Sequence, residues 1–214
     1  MYRPVSNFKQ KAGDMNEKQR SIMIGTLLGD GHLGTQNHGR TYRLKIEHSI
    51  KQKDYTDWLY QNFKSWVNDI PKEKKKIVKG KTYTNYCFQT RGVGEFRFYG
   101  QIFYDESGKK QIPKFIHKLL TPLALAVWFM DDGSAKSKQH KALILNTQCF
   151  SKRDLRLLIE ALDKRFDVRA KLRLQKEGMQ LIIPQPEKFI ELILPYLREE
   201  FYYKLGANHI NTNA

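Results

Sequence analysis

Two aspartates, each followed by glycine, close the two most apolar runs of the chain: Asp30-Gly31 ends MIGTLLGDG over 23–31, and Asp132-Gly133 ends LAVWFMDDG over 125–133. At the C-terminus of a helix the dipole is negative, so a carboxylate there is disfavoured by a few tenths to about 1 kcal/mol. One such ending is an ordinary glycine cap beside a solvated aspartate. Two of them, on helices too apolar to lie at a surface, need another account. If the helices pack side by side the carboxylates converge, and like charges held close stay ionised only with a cation between them. Oxygen ligands favour a hard ion, Mg²⁺ first with Mn²⁺ as a substitute, which keeps its waters and accepts phosphate oxygens. Metal ions flanking a phosphodiester can activate a water and stabilise the leaving oxygen, so no side-chain nucleophile is required.

The elements that position these aspartates have clear starts. Asn16 and Gln19 form an Asn-x-x-Gln capping box ahead of Ile22, Met23, Ile24, Leu27 and Leu28. Thr121 and Pro122 give the second helix an N-cap and a proline at its first position. Gly25 and Gly29 lie four apart on the first helix, a small face suited to close packing, with Ala124 and Ala126 offering less relief on the second.

After each motif helix the pattern turns to strands. Tyr42, Leu44 and Ile46 alternate with Arg43, Lys45 and Glu47, a half-buried strand with a basic face. A helix from Ser49 carries Tyr55, Trp58, Leu59, Phe63, Trp66 and Val67 at helical spacing and ends before Pro71. The run 72–81, with six lysines and one glutamate, reads as a mobile loop, followed by a strand pair near 83–90 and 95–99. The second half offers a strand at 143–148 and a helix from Ser151 with Leu155, Leu158, Ile159, Leu162 and Phe166 inward. Val168, Ala170, Leu172 and Leu174 then alternate with Arg169, Lys171, Arg173 and Gln175, and a Glu177-Gly178 turn leads to Leu181, Ile182 and Ile183. A last helical segment runs from Pro186 to about Leu205. Helix, strands, helix, strands, helix thus occurs twice, an internal duplication dividing the chain into 1–111 and 112–214.

Composition bounds the partner. The 214 residues carry 38 Lys and Arg against 22 Asp and Glu, a net charge of +16, which draws polyanions. No apolar run approaches the roughly 20 residues that span a bilayer, and no signal segment opens the sequence, so no membrane is expected and nucleic acid is the leading partner. Cys87 and Cys149 are too few for a zinc cage or a disulfide framework and read as buried thiols in strand-like runs of an intracellular protein. The six histidines, His32, His38, His48, His117, His140 and His209, show no ligand spacing and read as surface or nucleic-acid contacts.

LAVWFMDDG closely resembles the LAGLIDADG motif of homing endonucleases, and MIGTLLGDG is similar in a more degenerate form. The run from Thr121 through LNTQ at 145–148 to Tyr203-Lys204-Leu205 extends the resemblance to the two-motif, single-chain members, over nearly the whole chain. The resemblance implies an α+β fold of two pseudo-symmetric αββαββα halves, with the motif helices at the centre and two antiparallel sheets forming a DNA-binding saddle. It implies a monomer that cuts both strands of double-stranded DNA at a long asymmetric target, in the cytoplasm or in an organelle that encodes it. Position by position it makes Asp30 and Asp132 metal ligands, with help from the carbonyls of Gly29 and Asp131. Lys110 and Lys204 would lie near the scissile phosphates, and Glu47 and Gln148 beside the metals. Arg43, Lys45, Arg169, Lys171, Arg173 and Gln175 would face the major groove, where Arg and Lys read guanine and Gln reads adenine. Val127 and Asp131 in place of small residues, and Ile24 in place of alanine, imply two unequal sites. The same fold also serves maturases that bind intron RNA, which is the alternative reading; a transcription factor on this scaffold is a weaker one, since no helix-turn-helix module appears.

Overall fold

The computed structural model describes residues 14–206 apart from Glu177, together with His209. The expected turn at Glu177 therefore lies outside the described residues. Helix α1 (Glu17–Leu28) starts at Asn16, whose Oδ1 accepts from the Gln19 N–H at 2.8 Å while the Gln19 side chain accepts from the Asn16 N–H at 2.9 Å. The box satisfies two donors that have no partner within the helix. Helix α5 (Pro122–Asp132) starts at Thr121, whose hydroxyl accepts from the Ala124 N–H at 3.1 Å. Every residue from Ser21 to Leu28 and from Ala124 to Met130 is buried. Helices apolar on all sides are stable only in the middle of a molecule, and these two lie against each other there.

Each motif helix feeds a four-stranded antiparallel sheet. The first joins β1 (His32–Gly34), β2 (Arg43–Ser49), β3 (Lys72–Val78) and β4 (Lys81–Gln89) in the order β1-β2-β4-β3. The second joins β5 (Gly133–Ser137), β6 (His140–Leu145), β7 (Lys171–Gln175) and β8 (Gly178–Ile183) in the order β5-β6-β8-β7. The two orders correspond strand for strand, so the duplication seen in the sequence is present in space. Helices α2 (Lys53–Phe63) and α6 (Lys152–Phe166) connect the hairpins and bury Tyr55, Leu59 and Phe63, and Leu155, Leu158 and Leu162. Shorter helices α3 (Arg97–Phe103), α4 (Ile116–Leu119) and α7 (Glu187–Ile193) complete the halves. One apolar cluster runs from Ile22 through Trp128 to Leu205 without a break. None of the described helices is long and apolar enough to cross a membrane.

Several local expectations are corrected. The lysine-rich run is the edge strand β3, paired with β4 through a turn in which Lys79 and Gly80 both have positive φ, 49° and 74°. All seven of its residues are exposed, so there was no burial alternation to read. Lysines along an edge also discourage pairing with another chain. Residues 95–99 do not form a strand: a 3₁₀ turn at Gly94–Phe96 runs into α3, and the buried Phe96, Tyr99 and Phe103 recur at three and four. The strand expected at 143–148 starts at His140 and stops at Leu145. The last helical segment, expected to run on to about Leu205, is broken near Pro195: α7 stops at Ile193, and 3₁₀ turns follow at Leu194–Tyr196 and Glu199–Leu205. Arg169 precedes β7, and Leu174, expected inward, is 77% exposed. Cys87 is buried in β4, but Cys149 is exposed in the turn after β6.

A methyl group at Gly25 would lie 2.5 Å from Cβ of Val127 and 2.6 Å from the Ala124 carbonyl oxygen. Gly25→Ala should therefore fold with a loss of about 1–3 kcal/mol, measured by urea unfolding. Adding Val127→Ala removes the γ-carbon contact at 2.8 Å and should restore only part of it, because the contacts with the Cβ of residue 127 and with the Ala124 carbonyl remain. Full restoration would locate the constraint in the γ-carbons of Val127 alone.

Candidate active site

The last turns of α1 and α5 meet. The Asp30 N–H donates to Oδ2 of Asp131 at 3.1 Å, and a Cβ at Gly29 would lie 2.4 Å from that oxygen. Gly29 and Asp131 hold the same place in their motifs, so the absent side chain of one makes room for the carboxylate of the other.

Each helix end is met by a lysine from far along the chain. Lys110 Nζ donates to the Gly29 carbonyl at 2.6 Å, and Lys204 Nζ donates to the carbonyls of Met130 and, at 2.9 Å, Asp131. Carbonyls of a last helical turn lack donors within the helix, and positive charge is favoured there. The penalty of an aspartate at a helix C-terminus is thus offset at both ends by an ammonium group. The two carbonyls expected to assist a metal, those of Gly29 and Asp131, already accept from these lysines and keep one lone pair each. Burial pushes both lysine pKa values down, and the surrounding carboxylates push them up.

The carboxyl groups carry the strain. Burial, and then the charge of Asp30, raise the Asp132 carboxyl to about 7 against the pull of Lys110 and Lys204. Burial, and then Asp30, also raise Asp131 well above the carboxylate range, although Tyr55 OH donates to its Oδ1 at 2.8 Å. Asp30 is the exposed member, its side chain 51% accessible. Carboxyl groups that converge and hold a proton near neutrality are short of positive charge, and an oxygen donor set suits a hard divalent ion. By this test Asp30 and Asp132 fit a Mg²⁺-type cation.

The other expected site residues are spread more widely. Glu47 points to the outer face of β2, where Asn85 donates to it at 2.8 Å and Lys45 and Lys74 lie 3.0 and 3.7 Å away. The Asn85 bond first, and Lys45 next, lower its carboxyl to about 2. Gln148 lies in the turn after β6, against Gly178. Strand register pairs Glu47 with a different residue. His32 and Ser134 each stand second after their motif aspartate and face Lys45 and Ile144; two residues on come Glu47 and Asn146, three on come His48 and Thr147. Asn146 donates twice to the Asp132 carbonyl, from its backbone N–H at 3.0 Å and its Nδ2 at 2.9 Å.

Three neighbours of the carboxylates were not singled out from sequence: Asn146, Tyr55 and His48. His48 is not a surface residue; its ring is 2% exposed, 3.7 Å from Asp131 and 3.9 Å from Asp30. It continues the inward series Leu44, Ile46, His48 of β2, a signal that was available.

The outer faces of both sheets are cationic. Ladder register sets Lys72, Lys74 and Lys76 on the same face as Lys45 and Glu47. On the second sheet Lys171, Arg173 and Gln175 share a face with Gln180, which donates to Asn146. Arg43 is exposed at the start of β2, and Arg169 is exposed two residues ahead of β7.

A profile of the LAGLIDADG DNA endonuclease family matches residues 20–189. Probable intron-encoded endonuclease 1 of Wickerhamomyces canadensis is 28% identical over 95% of this chain and 90% of its own length. Cytochrome b mRNA maturase bI2 of Saccharomyces cerevisiae is 30% identical over 91% of this chain, which spans 48% of the maturase. Among solved structures, the homing endonuclease I-WcaI bound to its DNA recognition sequence is similar with a TM-score of 0.84 at 27% identity, covering 91% of this chain and 88% of that one.

The raised carboxyl of Asp132 makes metal-free stability depend on pH. Between about 4, the unfolded value, and about 7, the folded protein keeps a proton that the unfolded chain has released. The stability this proton contributes is whole below about pH 4 and is lost as pH rises to about 7. Asp132→Asn has no such proton to lose, so without metal its Tm relative to the parent should climb across this window and then level off. At roughly 1.4 kcal/mol per pKa unit the ceiling is about 4 kcal/mol. A difference independent of pH would mean that Asp132 titrates as an ordinary carboxylate.

Proposed function

The chain belongs to the LAGLIDADG DNA endonuclease family, and we propose that it is a site-specific homing endonuclease that hydrolyses both strands of duplex DNA at a long asymmetric target with divalent metal ions. The observation that carries this reading is the meeting of two buried helix ends, where burial and then Asp30 raise the pKa of Asp132 and a lysine stands at each end. Asp30 and Asp132 would hold the metal ions, with the free lone pairs of the Gly29 and Asp131 carbonyls in reach. Mg²⁺, or Mn²⁺ in its place, supplies when bound an activated water and a stabilised leaving oxygen.

The chain's own residues supply position and charge. Lys110 and Lys204 are fixed by the helix-end carbonyls they bond, which keeps a positive charge beside the carboxylates for the developing charge on phosphate. Asn146 holds the Asp132 peptide, so this carboxyl is oriented from the sheet as well as from the helix. Recognition falls to the outer faces, with Arg43, Lys45, Arg169, Lys171, Arg173 and Gln175 at base edges and Lys72, Lys74 and Lys76 at phosphates. Both motifs lie in one chain, which favours a monomer whose halves, 1–111 and 112–214, each take one half of the target. The likeness to a maturase supports intron RNA as an alternative partner.

Two experiments test this. Asp30→Asn and Asp132→Asn should each lower cleavage in Mg²⁺ by orders of magnitude and leave gel-shift binding in Ca²⁺ near the parent level. Near-normal cutting, or joint loss of binding and cutting, would remove the catalytic assignment. Cleavage absent from every duplex, with splicing of an intron RNA promoted, would select the maturase.

Binding should also weaken steeply with salt. Each lysine that neutralises a phosphate contributes about 0.9 to the slope of log affinity against log salt. Replacing Lys72, Lys74 and Lys76 together by alanine should flatten that slope by about two to three units without changing the preferred site. An unchanged slope would take the edge strand away from the DNA.

A further inference from the structure

His48 is packed against the carboxylates with one ring nitrogen unaccounted for. Its Nδ1 lies 3.0 Å from the Thr56 hydroxyl, and that hydroxyl is 3.2 Å from the Gln52 carbonyl, to which it gives its single proton. Thr56 therefore accepts from Nδ1–H, and in the neutral ring Nε2 is a bare lone pair. Nε2 is buried and has no hydrogen-bond partner. It faces Asp131 Oδ1 at 3.7 Å and Asp30 Oδ2 at 3.9 Å. A lone pair aimed at two carboxylate oxygens is repelled unless a proton or a cation lies between them.

We propose that Asp30, Asp131 and His48 form a binding site for a borderline divalent cation of the Zn²⁺ type, which shares Asp30 with the Asp30 and Asp132 pair assigned to the nuclease reaction but not Asp132. The three ligand atoms lie within 4.8 Å of one another. Bonds near 2 Å in a tetrahedron give edges of about 3.3 Å, so the two edges at His48 Nε2 close by roughly half an ångström and the edge between the carboxylate oxygens, at most 4.8 Å, by up to about 1.5 Å. Asp30 is half exposed and supplies that movement, while Tyr55 and the Asp30 N–H hold Asp131 in place. An imidazole nitrogen favours zinc over Mg²⁺, and a histidine whose other N–H is fixed by a hydrogen bond is already oriented for a metal.

The site is one-sided. Thr147 stands where His48 does in the first sheet and gives its hydroxyl to the Met179 carbonyl at 3.0 Å. Gly29 has no carboxylate to set against that of Asp131. Zinc would thus compete with Mg²⁺ at the first motif alone, a consequence that rests on the nuclease reading although zinc binding does not.

Zinc titrated calorimetrically into the DNA-free protein at neutral pH, with millimolar Mg²⁺ present, should show a site of micromolar or tighter affinity. His48→Gln should weaken it at least tenfold. Thr56→Val, which keeps shape but removes the Nδ1 acceptor, should weaken it about tenfold. Proton–nitrogen correlation of the histidine rings in the unaltered protein gives a readout that does not depend on a variant folding. One buried ring should carry its proton on Nδ1, and its Nε2 should shift on the first equivalent of zinc. Full-strength zinc binding by His48→Gln, or a buried ring protonated on both nitrogens and indifferent to zinc, overturns the proposal. Asp132→Asn should bind zinc as the parent does, so its loss of cleavage would report on the nuclease reading alone.

Discussion

Where Gly25 meets Ala124 and Val127, the backbones of α1 and α5 approach more closely than a Cβ on the glycine would permit. Both helices are buried on every side, so neither can slide without opening the core that joins the two sheets. Their C-terminal ends are therefore fixed relative to each other, and the backbones that carry Asp30 and Asp132 cannot move apart. The sheets inherit the same constraint. β5 begins at Gly133, directly after Asp132, and β1 begins at His32, two residues after Asp30. The distance from carboxylates to outer strand faces is set by a single glycine turn on each side.

Holding carboxylates together in a partly dry site costs folding free energy, and the arrangement of lysines shows how little of that cost is removed without a ligand. Lys110 and Lys204 bond to helix carbonyls rather than to the carboxylates. They neutralise the helix ends while Asp132 still stays near 7. Exposed pairs such as Lys53 with Asp57 sit in water, where an ion pair contributes at most about 1 kcal/mol. The buried carboxyls interact in a lower dielectric and decide the electrostatics of the molecule.

The motif helices, their caps and the duplicated element order were legible because each rests on a strong local rule: Asn16 with Gln19, Thr121 with Pro122, and apolar runs closed by glycine. The β3 edge strand was not legible, since a fully exposed strand has no alternation and the six lysines of 72–81 resemble a loop. The 3₁₀ turn and helix at 94–103 were misread although Phe96, Tyr99 and Phe103 keep a helical period, because the segment is short and aromatic. At the site, the aspartates and lysines could be named from motif positions. The neighbours His48, Tyr55 and Asn146 depend on strand register and on which helix covers which sheet, and a linear sequence does not state either. Register also shows that Glu47 corresponds to Asn146, a match that Gln148 had been given.

Asymmetry between the halves is concentrated where the motif helices end, and a single chain explains why it can be. In a dimer of identical subunits any residue that crosses the two-fold axis must fit its own copy. Two Asp131 side chains facing each other there would leave no room, and two glycines would leave a gap. With both halves in one polypeptide, Gly29 and Asp131 can differ, and the carboxylate of one half reaches Tyr55 and His48 of the other. Thr147, in the place equivalent to His48, is free to bond the Met179 carbonyl instead. The two carboxylates at the centre are then not interchangeable: Asp30 is exposed beside an imidazole, and Asp132 is buried beneath Asn146 with its carboxyl near 7. Duplication within one chain therefore supplies two motif positions that share a scaffold and differ in their acid–base and ligand chemistry.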